Sequence, residues 1–271
     1  MKKNRAFLKW AGGKFSLVEA ISRRLPPGQV LVEPFVGAGS VFLNTDYPAY
    51  LLADINPDLI GFYNLLKHSP ERVIAEARGL FIPGNNQAEA YYELRQAFND
   101  SRDTFERALL FLYLNRHGYN GLCRYNRKGG FNVPFGRYKK PYFPEEELWL
   151  FAEKAQRATF VCECYSQTFA RLQPDHVVYC DPPYVPLSTT ASFTSYATGG
   201  FSLDDQALLA KLARETVQER GIPVLISNHA TPLTYELYRD AQLDEIKVKR
   251  TISRSGESRN SVAELLALYL P

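Results

Sequence analysis

Strand-like and helix-like patterns alternate at both ends of this chain, while helical spacing fills its middle. Val30-Leu31-Val32-Glu33 and Tyr50-Leu51-Leu52-Ala53-Asp54 read as strands, with a short helix expected after Ser40. From Pro57 onward the period lengthens. Ala88–Asn99, Thr104–Arg116 and Glu145–Arg157 carry apolar residues at helical spacing. Between the last two, Lys128-Gly129-Gly130 predicts a hairpin turn joining Cys123–Arg127 to Phe131–Phe135. Strands resume at Thr159–Cys164, Val177–Cys180 and Val224–Ser227. Leu203–Arg220 is the best-marked helix: Ser202 with Asp205 forms a capping-box pattern, apolar positions recur through Leu208, Leu212 and Val217, and Gly221 ends it. Glu245–Ile252 and Val262–Leu270 are expected to pair antiparallel. The alternation predicts a three-layer α/β domain interrupted by a helical and hairpin insertion.

Two strand ends carry candidate chemistry. Val177-Val178-Tyr179-Cys180 runs into Asp181-Pro182-Pro183-Tyr184. The prolines remove two backbone donors, Asp181 adds a charged acceptor and Tyr184 a flat apolar face. That combination suits a planar ligand bearing an amino group, such as adenine or cytosine, with a simple strand-ending turn as the alternative. Earlier, Val30–Glu33 leads into Pro34-Phe35-Val36-Gly37-Ala38-Gly39-Ser40. Gly37 and Gly39 allow a sharp turn and close approach to a ligand, and Asp54, ending the next strand, can accept hydrogen bonds from a ribose diol. Phe42 occupies the place of the third glycine of the dinucleotide fingerprint, which points to a nucleoside cofactor without a pyrophosphate.

Composition narrows the class. At 271 residues and 45% hydrophobic content the chain can bury a substantial core, expected as one main domain with a large insertion. No apolar run is long enough to span a bilayer, and Met1-Lys2-Lys3-Asn4-Arg5 leads into no signal-type core, so a cytoplasmic location is expected. Cys123, Cys162, Cys164 and Cys180 lack the spacing of a zinc site or a disulfide framework; Cys162 and Cys164 are expected on one strand, both reduced, and no metal is expected. The net charge of +3 is modest, but its distribution is uneven. From Arg107 to Pro144 there is no acid, while Arg107, Arg116, Arg124, Arg127, Lys128, Arg137, Lys139 and Lys140 are interleaved with tyrosines and phenylalanines. Basic groups neutralise phosphates and rings stack on bases, so the stretch reads as nucleic-acid binding, with a solvated basic loop as the alternative.

Phe35-Val36-Gly37-Ala38-Gly39 and Asp181-Pro182-Pro183-Tyr184 resemble the paired signatures of amino-methylating, S-adenosylmethionine-dependent methyltransferases, in the order of the α group of DNA adenine-N6 methyltransferases. Phe7-Leu8-Lys9-Trp10-Ala11-Gly12-Gly13-Lys14, Asn120-Gly121-Leu122-Cys123-Arg124-Tyr125-Asn126 and Phe131–Tyr138 are similar to blocks of the bacterial Dam-type, GATC-specific family. The resemblance covers nearly the whole chain. It implies a Rossmann-like seven-stranded methyltransferase fold, made by residues 1–56 and 159–271, with an inserted helical and β-hairpin DNA-recognition domain over 57–158. It implies S-adenosylmethionine as cofactor, held by Trp10, Lys14, Phe35, Gly37, Gly39, Asp54 and Asp181, and double-stranded GATC DNA as substrate. Asp181, Pro182, Pro183 and Tyr184 would receive a flipped-out adenine. Arg124 would read a guanine, Lys9 the outer guanine, and Leu122 and Pro134 a thymine methyl. Tyr119 with Asn120 would wedge into the duplex. Arg95, Arg116, Asn126, Arg137 and Lys139 would contact phosphates, and Asn132 and Tyr138 complete the DNA-facing set. A monomer is expected, with implied roles in mismatch-repair strand marking and replication control.

Two other readings stay open at this level. One is an amino-methyltransferase for RNA or a protein glutamine, against which Asp181 (rather than Asn) and the basic aromatic stretch weigh. The other is a catalytically silent DNA-binding module, against which the intact Asp54 and Asp181 weigh. Asn228 fits a site edge and a turn equally, and His68, His117, His176 and His229 have no evident catalytic partner.

Overall fold

Seven strands are present among the residues described by the computed structural model, which are 3–185, 201–248 and 262–271. They are β1 (Val30–Glu33), β2 (Ala49–Asp54), β3 (Ala158–Cys162), β4 (His176–Cys180), β5 (Val224–His229), β6 (Gln242–Val248) and β7 (Val262–Tyr269), in one sheet of order β3-β2-β1-β4-β5-β7-β6. β2, β1, β4 and β5 pair in parallel, whereas β7 pairs antiparallel with both β5 and β6. Strand order runs outward from β1 one way and from β4 the other. The neighbours β1 and β4 therefore form the topological switch point, where open α/β sheets bind ligands beyond their carboxyl ends. The expected α/β class and the antiparallel closing pair are both found; Ile252, the expected end of the first closing strand, lies outside the described residues.

The helices are α1 (Val18–Arg24), α2 (Ser40–Asn44), α3 (Pro57–His68), α4 (Pro70–Gly79), α5 (Ala88–Asp100), α6 (Thr104–His117), α7 (Glu145–Ala155), α8 (Tyr165–Ala170), α9 (Leu203–Arg220) and α10 (Pro232–Leu237). No described helix is long and apolar enough to cross a membrane. The chain divides into two compact units: Met1–Phe15, Val36–Asn44 and Asp54–Cys162 form the first, and Ser16–Phe35, Thr45–Ala53 and Glu163–Pro271 the second.

In the first unit, Asn56 caps α3 by accepting the N–H groups of Asp58 and Leu59, and Pro57 follows at the first helical position, where its missing N–H is harmless. Asp103 caps α6 in the same way. α6 is buried on every side from Leu110 to Asn115, the pattern of a central helix. Phe7, Phe62, Tyr63, Phe151 and Phe160 interlock around α3 through edge-on and tilted contacts and one stacked pair, Phe151 with Phe160.

In the second unit, Val32, Val178, Cys180, Ile226, Leu265 and Ala267 of the sheet pack with Leu209, Ala210, Ala213 and Val217 of α9. The capping box at Ser202–Asp205 and the left-handed Gly221 (φ 64°) bound α9 as the sequence predicts. Its buried face follows the predicted stripe only in part: Val217 is buried and Leu212 packs against the core, but Leu208 is exposed, and Gln206, Leu209, Ala210, Ala213 and Thr216 face inward instead. Two other expectations are corrected. Cys162 ends β3, but Cys164 is the N-cap of α8 rather than a strand residue. The expected hairpin forms no continuous ladder: its arms meet at the isolated bridge Tyr125↔Phe131, and Phe135 bridges instead to Gly118, ahead of the first arm.

Candidate functional site

In the first unit, the glycine turn is pinned from three directions. Gly39 N–H closes the turn onto the Val36 carbonyl (2.8 Å), Tyr63 O–H donates to the Gly37 carbonyl (2.6 Å), and Gly37 N–H donates to Asp54 Oδ2 (3.1 Å). Gly37 has φ 47°, and a Cβ there would lie 2.8 Å from Trp10 Nε1, so conformation and space both demand glycine. Asp54 Oδ1 accepts the Asn56 N–H (2.9 Å). Burial raises the Asp54 carboxyl above the usual range, opposed by the N–H groups of Asn56, Gly37 and Ile55. Trp10, Gly37 and Asp54 are thus brought together. Lys14 is buried in a short 3-10 turn, its ammonium bonded to the Gly12 carbonyl. Gly39 lies beside Phe42 and Phe151. Phe35 belongs to the second unit, stacked on Tyr165 at 5.5 Å and edge-on to Phe201 at 5.6 Å. Ile55, directly after Asp54, is 76% exposed. Its sequence signal is an apolar residue directly following a strand-ending acid.

In the second unit, Asp181 leaves the carboxyl end of β4 with its carboxylate already oriented. Ser227 Oγ donates to Asp181 Oδ1 (3.1 Å) and also meets the Tyr179 hydroxyl (2.9 Å). Gln206 Nε2 holds the Pro183 carbonyl (2.7 Å), and Asn228 Nδ2 in turn donates to Gln206 Oε1 (3.0 Å). Val185 is gripped twice: its N–H by Asn228 Oδ1 (3.1 Å) and its carbonyl by His229 Nδ1 (2.8 Å). Tyr184 donates its hydroxyl to Glu264 Oε2 (2.8 Å) and meets the His229 ring edge-on at 4.8 Å. Burial, then the Asp181 charge, holds the Tyr184 phenol well above its ordinary pKa, so it stays protonated. Asn228 is fully buried within β5 and therefore forms no turn. Asn228 thus takes the site-edge place that the sequence left open, whereas Ser227, His229 and Glu264 carry no sequence signal as site residues, because tertiary pairing, with His229 opposite Glu264 in the β5–β7 register, assembles them.

The basic aromatic segment lies in the first unit. Arg124 is exposed and steered by Asn132: Nε donates to Asn132 Oδ1 (2.7 Å) and Nη2 to its carbonyl (3.1 Å). Tyr119 is 51% exposed, and Asn120 adopts the left-handed conformation (φ 52°) beside it. Gly121 packs so closely on Lys9 that a Cβ would fall 2.1 Å from the lysine Cβ. Lys9 is bracketed by Asn115 through both backbone groups (2.9 and 2.8 Å), and its ammonium lies 3.6 Å over the Tyr138 ring. Burial, with the nearby Arg116 charge, lowers Lys9 to about 8. Tyr138 Oη accepts the Asn120 N–H (2.9 Å).

The candidate phosphate ligands differ in setting. Arg137 and Lys139 are exposed. Arg116 is half-buried and donates to the carbonyls of Tyr142 (3.0 Å) and Phe7 (3.2 Å), while Arg95 donates to that of Val133 (3.0 Å). Asn126 Oδ1 shapes the turn by accepting from Lys128 and Gly130 N–H. Leu122 is half-buried, and the exposed Pro134 receives the Tyr119 N–H on its carbonyl (2.8 Å).

Comparison with known proteins gives this geometry its family. A family model described as D12 class N6 adenine-specific DNA methyltransferase matches residues 10–252. A protein of Vibrio cholerae serotype O1 named DNA adenine methylase is 68% identical over 271 residues, covering 100% of this chain and 98% of that one. The protein of the same name from Escherichia coli K12 is 63% identical, covering 100% and 97%. That from Serratia marcescens is 61% identical, covering 99% and 100%. With a family match over most of its length and full-length relatives at this identity, the chain belongs to the D12 class of N6 adenine-specific DNA methyltransferases.

Proposed function

We propose that the enzyme transfers a methyl group from S-adenosylmethionine to N6 of an adenine flipped out of duplex DNA at GATC. The observation that carries this reading is the Asp-Pro-Pro-Tyr turn: β4 delivers it at the switch point, with the Asp181 carboxylate aimed by Ser227 and the Tyr184 ring pinned by Glu264 and His229. The cofactor residues fit a nucleoside bearing an amino acid. Asp54 supplies a carboxylate for the ribose diol, Lys14 a cation for a carboxylate, and Trp10 against Gly37 leaves a shallow turn with no pyrophosphate-binding third glycine. Exposed Ile55 adds an apolar face suited to a nucleobase. When bound, the cofactor supplies an electrophilic methyl group.

The protein's own task is to make a poor nucleophile attack. The adenine amino lone pair is delocalised into the ring. Asp181 and the Pro182 carbonyl accept its two N–H bonds, which favours a tetrahedral nitrogen and stabilises the positive charge that develops there. A carboxylate has about four acceptor positions, so the Ser227 bond orients Asp181 without exhausting it. Tyr184 stacks on the base, which must leave the helix because N6 is otherwise engaged in pairing. Residues 57–158 supply the DNA surface: Tyr119 and Asn120 wedge, Arg124 reads a guanine, Arg137 and Lys139 meet phosphates, and Lys9 from the first block adds a further contact. The product mark is of the kind that distinguishes strands in mismatch repair and times replication.

The test is transfer of radiolabelled methyl from S-adenosylmethionine to GATC-containing and GATC-free duplexes. Label is expected in N6-methyladenine on the first alone; equal labelling of both sinks the proposed specificity, and labelling of RNA or protein instead sinks the substrate class.

Lys9 makes a pH-dependent prediction. Its lowered pKa means the free protein loses this charge as pH rises through about 8, whereas a nearby phosphate or guanine favours the charged form. DNA affinity should therefore fall as pH passes from 7 to 9, and this fall should flatten in Lys9→Met. Binding isotherms at fixed ionic strength measure it; an unchanged slope in Lys9→Met removes Lys9 from the DNA surface.

A further inference from the structure

The segment Cys123-Arg124-Tyr125 has little backbone ladder to hold it, since its pairing to the opposite arm is a single bridge at Tyr125↔Phe131, made by the Asn132 N–H to Arg124 carbonyl bond (3.0 Å) and the Asn126 N–H to Gly130 carbonyl bond (2.8 Å). Side chains supply the missing register. Extended backbone places alternate side chains on opposite faces, so Cys123 and Tyr125 share one face while Arg124 takes the other. The shared face is tied to the start of α3. Asn56 Nδ2 reaches Cys123 Sγ (3.4 Å), and the Tyr125 hydroxyl donates to Asp58 Oδ2 (2.6 Å).

Asp58 is itself immobilised. Its Oδ1 accepts from Arg107 Nη2 (2.7 Å) and Nε (3.0 Å), and Arg107 Nη1 is fixed on the carbonyls of Phe98 (2.7 Å) and Ser101 (3.0 Å). The Asp58 side chain is only 9% exposed, so water competes little for the Tyr125 hydroxyl. Arg107, basic and adjacent to the DNA segment in sequence, thus serves this anchor. The same helix start is bonded to Asp54 through the Asn56 N–H (2.9 Å). A base contact discriminates only when its donors stand within about 0.5 Å of the productive position. An anchor on the residue next to Arg124 bears directly on that position.

We propose that Asp58 and Tyr125 are positioning residues for DNA readout: their hydrogen bond fixes where the Arg124 guanidinium stands, and so how sharply one base pair is discriminated. This rests on the reading of the segment as the DNA-reading surface. Tyr125→Phe is the clean variant, because it deletes one oxygen and keeps the ring packed edge-on against Phe131 at 5.7 Å.

Single-turnover rates are measured for wild type, Tyr125→Phe, Arg124→Ala and the double variant on GATC and on duplexes changed at each position. Tyr125→Phe is expected to lower the rate ratio between GATC and the duplex changed at one base pair by roughly tenfold, the scale of one lost hydrogen bond to a charged group. That base pair should be the one Arg124→Ala relaxes, and the double variant should show no further loss. Ratios left unchanged by Tyr125→Phe, even with all rates lowered together, overturn the proposal, as does full additivity with Arg124→Ala. Should Tyr125→Phe relax one position while Arg124→Ala relaxes none, the assignment of Arg124 as reader fails and the anchor stands, holding a different reader.

Discussion

Asp181→Ala is expected to abolish methyl transfer while leaving the fold and most DNA affinity intact. On the proposed mechanism the carboxylate accepts from the adenine amino group as charge develops there, and deleting one such preorganised group typically lowers the chemical rate by about 10²–10³-fold or more. Folding should survive, because Ser227 is not stranded by the loss. Ser227 Oγ keeps the Tyr179 hydroxyl at 2.9 Å and the Cys180 carbonyl at 3.4 Å. The Pro183 carbonyl and both backbone groups of Val185 keep their anchors in Gln206, Asn228 and His229, so the turn itself should stay in place. Asp181→Asn retains one acceptor oxygen for the amino group and should keep part of the rate. Single-turnover transfer with saturating DNA and cofactor separates these cases; near-normal transfer by folded Asp181→Ala would falsify the mechanism.

Arg124→Ala should separate specificity from affinity. Loss of a bidentate arginine–guanine pair removes about 1–3 kcal/mol of discrimination at one base pair. The two bonds to Asn132 use Nε and one hydrogen of Nη2, which leaves the Nη1–Nη2 edge in position for guanine O6 and N7. Rates on duplexes altered at that base pair should approach the GATC rate. Lys139→Ala, at an exposed position, should instead weaken every sequence together and shallow the salt dependence of binding. If Arg124→Ala slows all duplexes equally, Arg124 is a phosphate anchor and the reading contact lies elsewhere.

The strand ends were legible because their signals are local. An apolar run followed by Gly-x-Gly, or by Asp-Pro-Pro-Tyr, marks both the strand and the candidate residues at its end, and β1, β2 and β4 lie where the pattern put them. The ends of α9 were equally local, since Ser202, Asp205 and Gly221 satisfy the helix's own end groups. Its inward face was not, because which of two adjacent apolar stripes is buried depends on the sheet beneath: Leu208 and Leu209 look alike in sequence and end in opposite environments.

Tertiary structure alone decided what holds the chemistry in place. Ser227 sits 46 residues from Asp181 and Glu264 lies 80 from Tyr184, and no pattern along the chain couples such positions. The antiparallel β5–β7 register brings Asn228, His229 and Glu264 to one end of the sheet. The same holds for the basic aromatic segment. Its basic and aromatic composition marked it as a nucleic-acid surface, but composition does not distinguish Arg124, turned outward on Asn132, from Arg107, turned inward on Asp58. Residue type and local order determined which chemistry is available; packing, through buried partners remote in sequence, decided which side chains are positioned to perform it.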